Sequence, residues 1–188
     1  MIDNQQRRDF LGVAAAATVL ALLPACSDSA VPGLAVGEQF PAATLQDLDG
    51  RSVALANYAG TALVVNFWAT WCAPCRREMP SLQRLSEQFR AQDLQVLGIT
   101  VDDDLNLVRE FQLRHQIGFR LLSDRGQKLS RDVLQVPVFP MTYLVTRAGL
   151  VARLVPGEQD WMASSMLSEI EQLLAVRRQQ PAAVEPLR

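Results

Sequence analysis

Leu63-Val64-Val65-Asn66-Phe67-Trp68-Ala69-Thr70-Trp71-Cys72-Ala73-Pro74-Cys75-Arg76-Arg77-Glu78-Met79-Pro80 changes character at its middle. The first half is an apolar run of strand length, the second carries apolar residues at helical spacing, and two cysteines three apart stand at the join. A buried strand is thus expected to deliver Cys72 to the first turn of a helix, where unpaired backbone amides and the helix dipole favour a thiolate. Redox chemistry at a dithiol is the natural reading. C-x-x-C is also half of a zinc site, but such a site needs two further Cys or His ligands, and the chain's remaining candidates are Cys26 and His115. A purely structural bridge between residues three apart closes too small a loop to restrain the unfolded chain much.

The run from Val65 to Pro80 resembles the active-site segment of the TlpA/ResA family of extracytoplasmic thioredoxin-like proteins. A second stretch, Val136-Pro137-Val138-Phe139-Pro140-Met141-Thr142-Tyr143-Leu144-Val145, resembles that family's cis-proline segment. Two separated motifs in the right order are more specific than a lone C-x-x-C. The resemblance spans residues 36–174 and implies a thioredoxin fold, an α/β architecture with a mixed central sheet flanked by helices. The helical pattern 104–116 with the strand Phe119 to Leu122 resembles the family's central insertion, and the Asp-Gly turn within Ala43 to Leu55 reads as an N-terminal β-hairpin extension.

The family pattern implies that Cys72 is an exposed nucleophile that attacks a substrate disulfide and Cys75 the partner that resolves the mixed disulfide. Trp71 and Phe139 would shape the surface that receives substrate, and a cis bond before Pro140 would leave backbone groups free to pair with an extended segment. Trp68 is the better candidate for burial. Cytoplasmic thioredoxins carry an aspartate where this chain has Asn66, which cannot titrate. Glu78 lies three residues after Cys75 on the same helix face and matches the family's acidic residue, so it is the candidate for handling the Cys75 proton. The alternative is a solvated glutamate beside Arg76 and Arg77.

Residues 1–25 combine Arg7-Arg8-Asp9-Phe10-Leu11, the apolar run Leu11 to Leu23, and Leu23-Pro24-Ala25-Cys26, which reads as a secretion signal. The twin arginines resemble a Tat signal, although Gln6 stands where Ser or Thr is usual, with an ordinary Sec signal or an uncleaved membrane anchor as the alternatives. Leu-x-Ala-Cys resembles a lipobox, making Cys26 a lipid attachment site. Residues 26–37, small and interrupted by Pro32 and Gly33, read as a tether. Residues 38–176 form the expected thioredoxin-like domain, and 177–188, with Pro181 and Pro186, a flexible tail.

The whole chain has 188 residues and a formal charge of -2, with the leader's two aspartates cancelling its two arginines. Nothing in it is basic enough to argue for nucleic acid. Asp47-Leu48-Asp49-Gly50 marks a hairpin turn, Gln127 to Leu134 a short helix, Arg147-Ala148-Gly149 a second hairpin, and Asp160 to Val176 a last helix. Asp102-Asp103-Asp104 reads as a helix cap with first-turn acids. No metal or other cofactor is called for.

The resulting expectation is a membrane-tethered thiol-disulfide oxidoreductase, working on protein thiols and disulfides and recharged by a membrane-embedded electron donor. Two other readings share the fold. A Sco-like copper protein would carry C-x-x-x-C and a distant histidine, and a peroxiredoxin-like peroxidase would carry Thr-x-x-Cys, whereas Thr70 stands two residues before Cys72.

Overall fold

The computed structural model describes residues 33–179 apart from 90 and 92. The expected signal segment, Cys26 and most of the tether lie outside them, as does the tail from residue 180 onward. Among the described residues no helix is long and apolar enough to cross a membrane.

Seven strands form one sheet. In chain order the elements are β1 (Thr44–Asp47), β2 (Ser52–Ala54), a 3-10 turn (Leu55–Tyr58), β3 (Ala62–Trp68), α1 (Ala73–Gln88), β4 (Leu94–Thr100), α2 (Leu105–Arg114), β5 (Arg120–Ser123), a wide helical turn (Lys128–Val133), β6 (Met141–Val145), β7 (Val151–Pro156) and α3 (Ser164–Leu174). Across the sheet the order is β2-β1-β5-β4-β3-β6-β7. β4 runs parallel to both β3 and β5, and the other neighbours are antiparallel.

β3 is buried along its whole length, as a central strand covered on both faces should be. Side chains alternate between faces. Val64 and Trp68 join a core with Met79, Leu82 and Leu85 of α1 and Met166 and Ile170 of α3. Val65 and Phe67 enter a second core with Leu97, Ile99 and Tyr143. Asn66 shares the parity of Val64 and Trp68, so its amide is directed at α1. That alternation places the site.

The expected insertion is a βαβ unit in which α2 carries the chain from β4 to parallel β5, and β5 in turn gives the N-terminal hairpin β1/β2 its edge to pair with. The short helix expected at 127–134 is wider than an α-helix. The Leu134 amide reaches back five residues to the Leu129 carbonyl at 2.9 Å, and the Asp124 carboxylate caps the other end through the amides of Leu129 and Ser130. Pro80 lies within α1 and the helix continues through it.

Both ends of the domain are tied in more closely than the sequence indicates. Leu34, in the expected tether, packs against the second core, and the Gly37 amide donates to the Val151 carbonyl at 2.8 Å. In the expected tail, Arg178 pairs with Glu171 through two side-chain hydrogen bonds, and the Gln179 amide donates to the Gln88 carbonyl.

Candidate active site

α1 begins at the dithiol. Cys72 is the cap residue in extended conformation, Ala73 and Pro74 form the first turn, and a proline there costs nothing because that amide has no partner within the helix. Cys72 and Cys75 are joined as a disulfide with S–S 2.06 Å, and Cys72 Sγ accepts from the Cys75 amide at 3.3 Å. Cys75 is fully buried. Cys72 is less open than the expected exposed nucleophile, with 6 % exposure, because it belongs with Trp68, Ala69 and Cys75 to the buried residues of the first core. It is nonetheless the sulfur-bearing residue of the pair that reaches the surface.

The bond between Phe139 and Pro140 is cis. Trp71 is 63 % exposed and meets the half-buried Phe139 edge to face, with ring centroids 6.0 Å apart. This contact brings the two sequence motifs together. Trp68 is fully buried, as expected, against Phe111.

Glu78 is not a solvated side chain. It is 1 % exposed, set in the same inward stripe of α1 as Cys75, Met79, Leu82 and Leu85. Its Oε1 accepts from Asn66 Nδ2 at 2.8 Å, and its Oε2 accepts from the Gln159 amide at 3.1 Å and from Trp161 Nε1 at 3.2 Å. Burial pushes the carboxyl up to about 7, against those three donors, which favour the charged form, and with a smaller upward contribution from Glu158. A carboxyl in that range can take and return a proton near neutrality.

The loop that supplies Gln159 and Trp161 is held to α1 from outside. Arg77 Nε donates to both carboxylate oxygens of Glu158, at 2.9 and 3.0 Å, and the interaction raises the arginine and lowers the glutamate from their ordinary values. Ser81 links the same two segments, accepting from the Trp161 amide at 3.3 Å. Asn66 also donates to Thr142 Oγ1 at 2.8 Å, so its amide spans α1 and β6.

The three aspartates divide their work differently from the expectation. Asp104 is the cap of α2 and accepts from the Asn106 amide at 2.9 Å. Asp102 turns inward, 3 % exposed, and holds Thr70. Its place could be read from the pairing of Trp68 with Thr100, which sets positions 70 and 102 side by side beyond the strand ends, but that register is not visible in the sequence. His115 lies against Phe111, with ring centroids 4.2 Å apart.

Residues 36–153 match the AhpC/TSA family. Over 124 residues the chain is 33% identical to the thiol-disulfide oxidoreductase ResA of Geobacillus thermodenitrificans, covering 66% of this chain and 71% of that protein. The chain belongs to this family. It is a thiol-disulfide oxidoreductase of the ResA type. The ResA of Bacillus thuringiensis subsp. konkukian is 27% identical over the same length. Among solved structures, the thioredoxin domain of a thiol-disulfide oxidoreductase from Bacteroides vulgatus superposes with a TM-score of 0.63 at 25% identity, covering 75% of this chain and 99% of that one. A secreted disulfide oxidoreductase of Mycobacterium tuberculosis shares the fold, with a TM-score of 0.58 at 24% identity over 71% of this chain and 96% of that one. The thioredoxin fold expected from the sequence is the fold observed.

Proposed function

We propose that this enzyme is a membrane-tethered reductase of extracytoplasmic protein disulfides, with Cys72 as nucleophile, Cys75 as resolving thiol and Glu78 as the proton acceptor. The observation that carries the reading is the asymmetry of the pair: Cys75 is sealed in the core beside the buried stripe that holds Glu78, while Cys72 reaches the surface beside Trp71.

In the reduced enzyme the Cys72 thiolate attacks one sulfur of a substrate disulfide, forming a Cys72–substrate bond and releasing the other substrate sulfur as a thiolate that takes a proton from water. Glu78 then accepts the Cys75 proton, and the new thiolate attacks Cys72 Sγ. The Cys72–Cys75 bond forms, the second substrate sulfur leaves, and two electrons have passed to the substrate. The disulfide in the structure is the product of that half-cycle. A membrane-embedded dithiol donor would reduce it again.

Trp71 and Phe139 form the docking surface in this reading, while Pro140, expected to share it, is buried with its carbonyl accepting from the Gly157 amide and contributes the cis bond behind Phe139; an aromatic pair at the rim is suited to extended polypeptide carrying cysteines. Apocytochrome c haem-binding cysteines and copper-site cysteines are the substrates the resemblance favours. The leader and Cys26 support a lipid anchor on the periplasmic or other extracytoplasmic face of a bacterial membrane.

Alkylation of intact cells followed by mass analysis of the Cys72–Cys75 peptide tests the direction. A pair held reduced supports the reductase. A pair held oxidised in cells with an intact donor system would make the enzyme an oxidase instead.

A further inference from the structure

Asp102 stands where β4 leaves the sheet, and both its carboxylate oxygens are engaged. Oδ2 accepts from the Thr70 amide at 2.8 Å and from Thr100 Oγ1 at 2.6 Å, and Oδ1 accepts from Thr70 Oγ1 at 2.6 Å. The Thr70 carbonyl in turn accepts from Arg76 Nη1 at 2.5 Å. Thr70 is therefore held at its amide, its hydroxyl and its carbonyl. Helix capping explains none of this, because Asp104 does that for α2.

Cys72, two residues on, is fixed by other bonds: its amide donates to the Ala69 carbonyl at 3.2 Å and its carbonyl accepts from the Arg76 amide at 3.1 Å. Trp71 lies between the two anchored residues, its ring mostly in solvent and touching Phe139. The direction in which Trp71 leaves the turn follows from how Thr70 is held.

We propose that Asp102 is a positioning residue for polypeptide substrates: by fixing Thr70 it orients Trp71 against Phe139 and so maintains the wall on which an extended disulfide-bearing chain docks. This rests on the docking role given above to Trp71 and Phe139. Charge-assisted bonds to a buried carboxylate fix Thr70 and with it the point from which Trp71 leaves the turn, and the contact with Phe139 then sets the ring. A small disulfide needs the sulfur of Cys72 and little of the wall.

The test compares two substrates of the reduced enzyme, insulin and glutathione disulfide, in Asp102→Asn, Thr70→Val, the double variant and Trp71→Ala. The asparagine oxygen can replace Oδ2 toward the Thr70 amide and Thr100, but its NH2 group then stands at Oδ1, where it cannot accept from the Thr70 hydroxyl, and the charge that strengthens all three bonds is gone. Asp102→Asn is expected to lower kcat/KM for insulin about tenfold while changing glutathione disulfide by about twofold or less, the scale of one lost charge-assisted bond. Thr70→Val, which keeps the amide bond, should shift the same ratio by about threefold, and the double variant should be no worse than Asp102→Asn. Near-ultraviolet circular dichroism of the tryptophans should change with the ratio.

Equal losses on both substrates would mean that Asp102 merely supports the fold, and an unchanged ratio in Thr70→Val would overturn the proposal even if Asp102→Asn does not fold. If Trp71→Ala leaves the ratio unchanged, the docking reading itself falls. If Trp71→Ala lowers it and neither Asp102→Asn nor Thr70→Val does, only the role of Asp102 is lost.

Discussion

Asn66 Nδ2 donates to Glu78 Oε1 at 2.8 Å inside the core, and Asn66 Oδ1 has no partner among the described residues. The pairing joins the two residues that the resemblance singles out at this position of the strand and helix. An amide can serve a carboxylate as a donor and, turned end for end, a protonated carboxyl as an acceptor. Asn66 thus suits Glu78 in either protonation state.

The first prediction concerns stability against pH. In the fold Glu78 holds its proton up to about 7, whereas the ordinary value is 4.5. Between those values the native state binds a proton that the unfolded chain has lost, so stability falls as pH rises through this window and is level above it. A shift of this size corresponds to roughly 3 kcal/mol, at about 1.4 kcal/mol per unit. Urea denaturation of the oxidised protein from pH 4 to 8 should show this decline relative to Glu78→Gln, whose amide Asn66 can accommodate by turning over. Parallel curves for the two proteins would contradict the assignment of the titration to Glu78.

A second prediction separates chemistry from stability. An ionised Glu78 opposes thiolate formation at Cys75, yet the same carboxylate is the proposed acceptor of its proton. Glu78→Gln should therefore move the thiol titration to lower pH and slow resolution of the mixed disulfide by about a hundredfold, the lower end of the range for a lost general base. Rapid-quench alkylation measures both quantities. Unchanged thiol titration and unchanged resolution in a folded variant would leave the proton to water.

β3 and the dithiol turn were legible because their signals are local: a continuous apolar run, two cysteines and a proline suited to the first helical turn. The environment of Glu78 was not. Gln159 and Trp161 lie 81 and 83 residues away in the chain, on a loop whose approach depends on β7 and on Arg77 meeting Glu158. Sequence spacing put Glu78 on the Cys75 face of the helix but could not tell a buried carboxyl from one pairing with its neighbouring arginines.

Asp102 was hidden for a different reason. Three consecutive aspartates before a helix satisfy the capping rule, and that rule holds for Asp104 alone. Which way Asp102 faces depends on the parallel register of β3 and β4. The limited exposure of Cys72 likewise depends on its place in the first core, which a helix-start pattern does not specify.

The third prediction addresses Cys26, which belongs to the leader pattern and not to the dithiol. Cys26→Ser should release the enzyme from membranes while a purified soluble form keeps full insulin reductase activity. Fractionation and an insulin turbidity assay are sufficient. Retention in the membrane fraction would point to an uncleaved anchor, and loss of activity in the soluble form would tie Cys26 to exchange.

The last prediction follows from the unequal burial of the two sulfur-bearing residues. Cys72 has 6 % exposure and Cys75 none, so Cys72 is the residue of the pair with any surface to offer a substrate disulfide. In Cys75→Ser the attack by Cys72 still occurs, and no thiol remains to release the product. This variant should accumulate mixed disulfides with its partners in cells, visible as high-mass bands that collapse under reducing agent. In Cys72→Ser the buried thiol keeps Glu78 beside it on the helix but has no route to substrate, so few adducts should form. Because both changes replace sulfur by oxygen at nearly the same volume, a difference between them reports access and not general damage. Adducts formed through Cys75 would reverse the two roles and would require the α1 terminus to open before reaction.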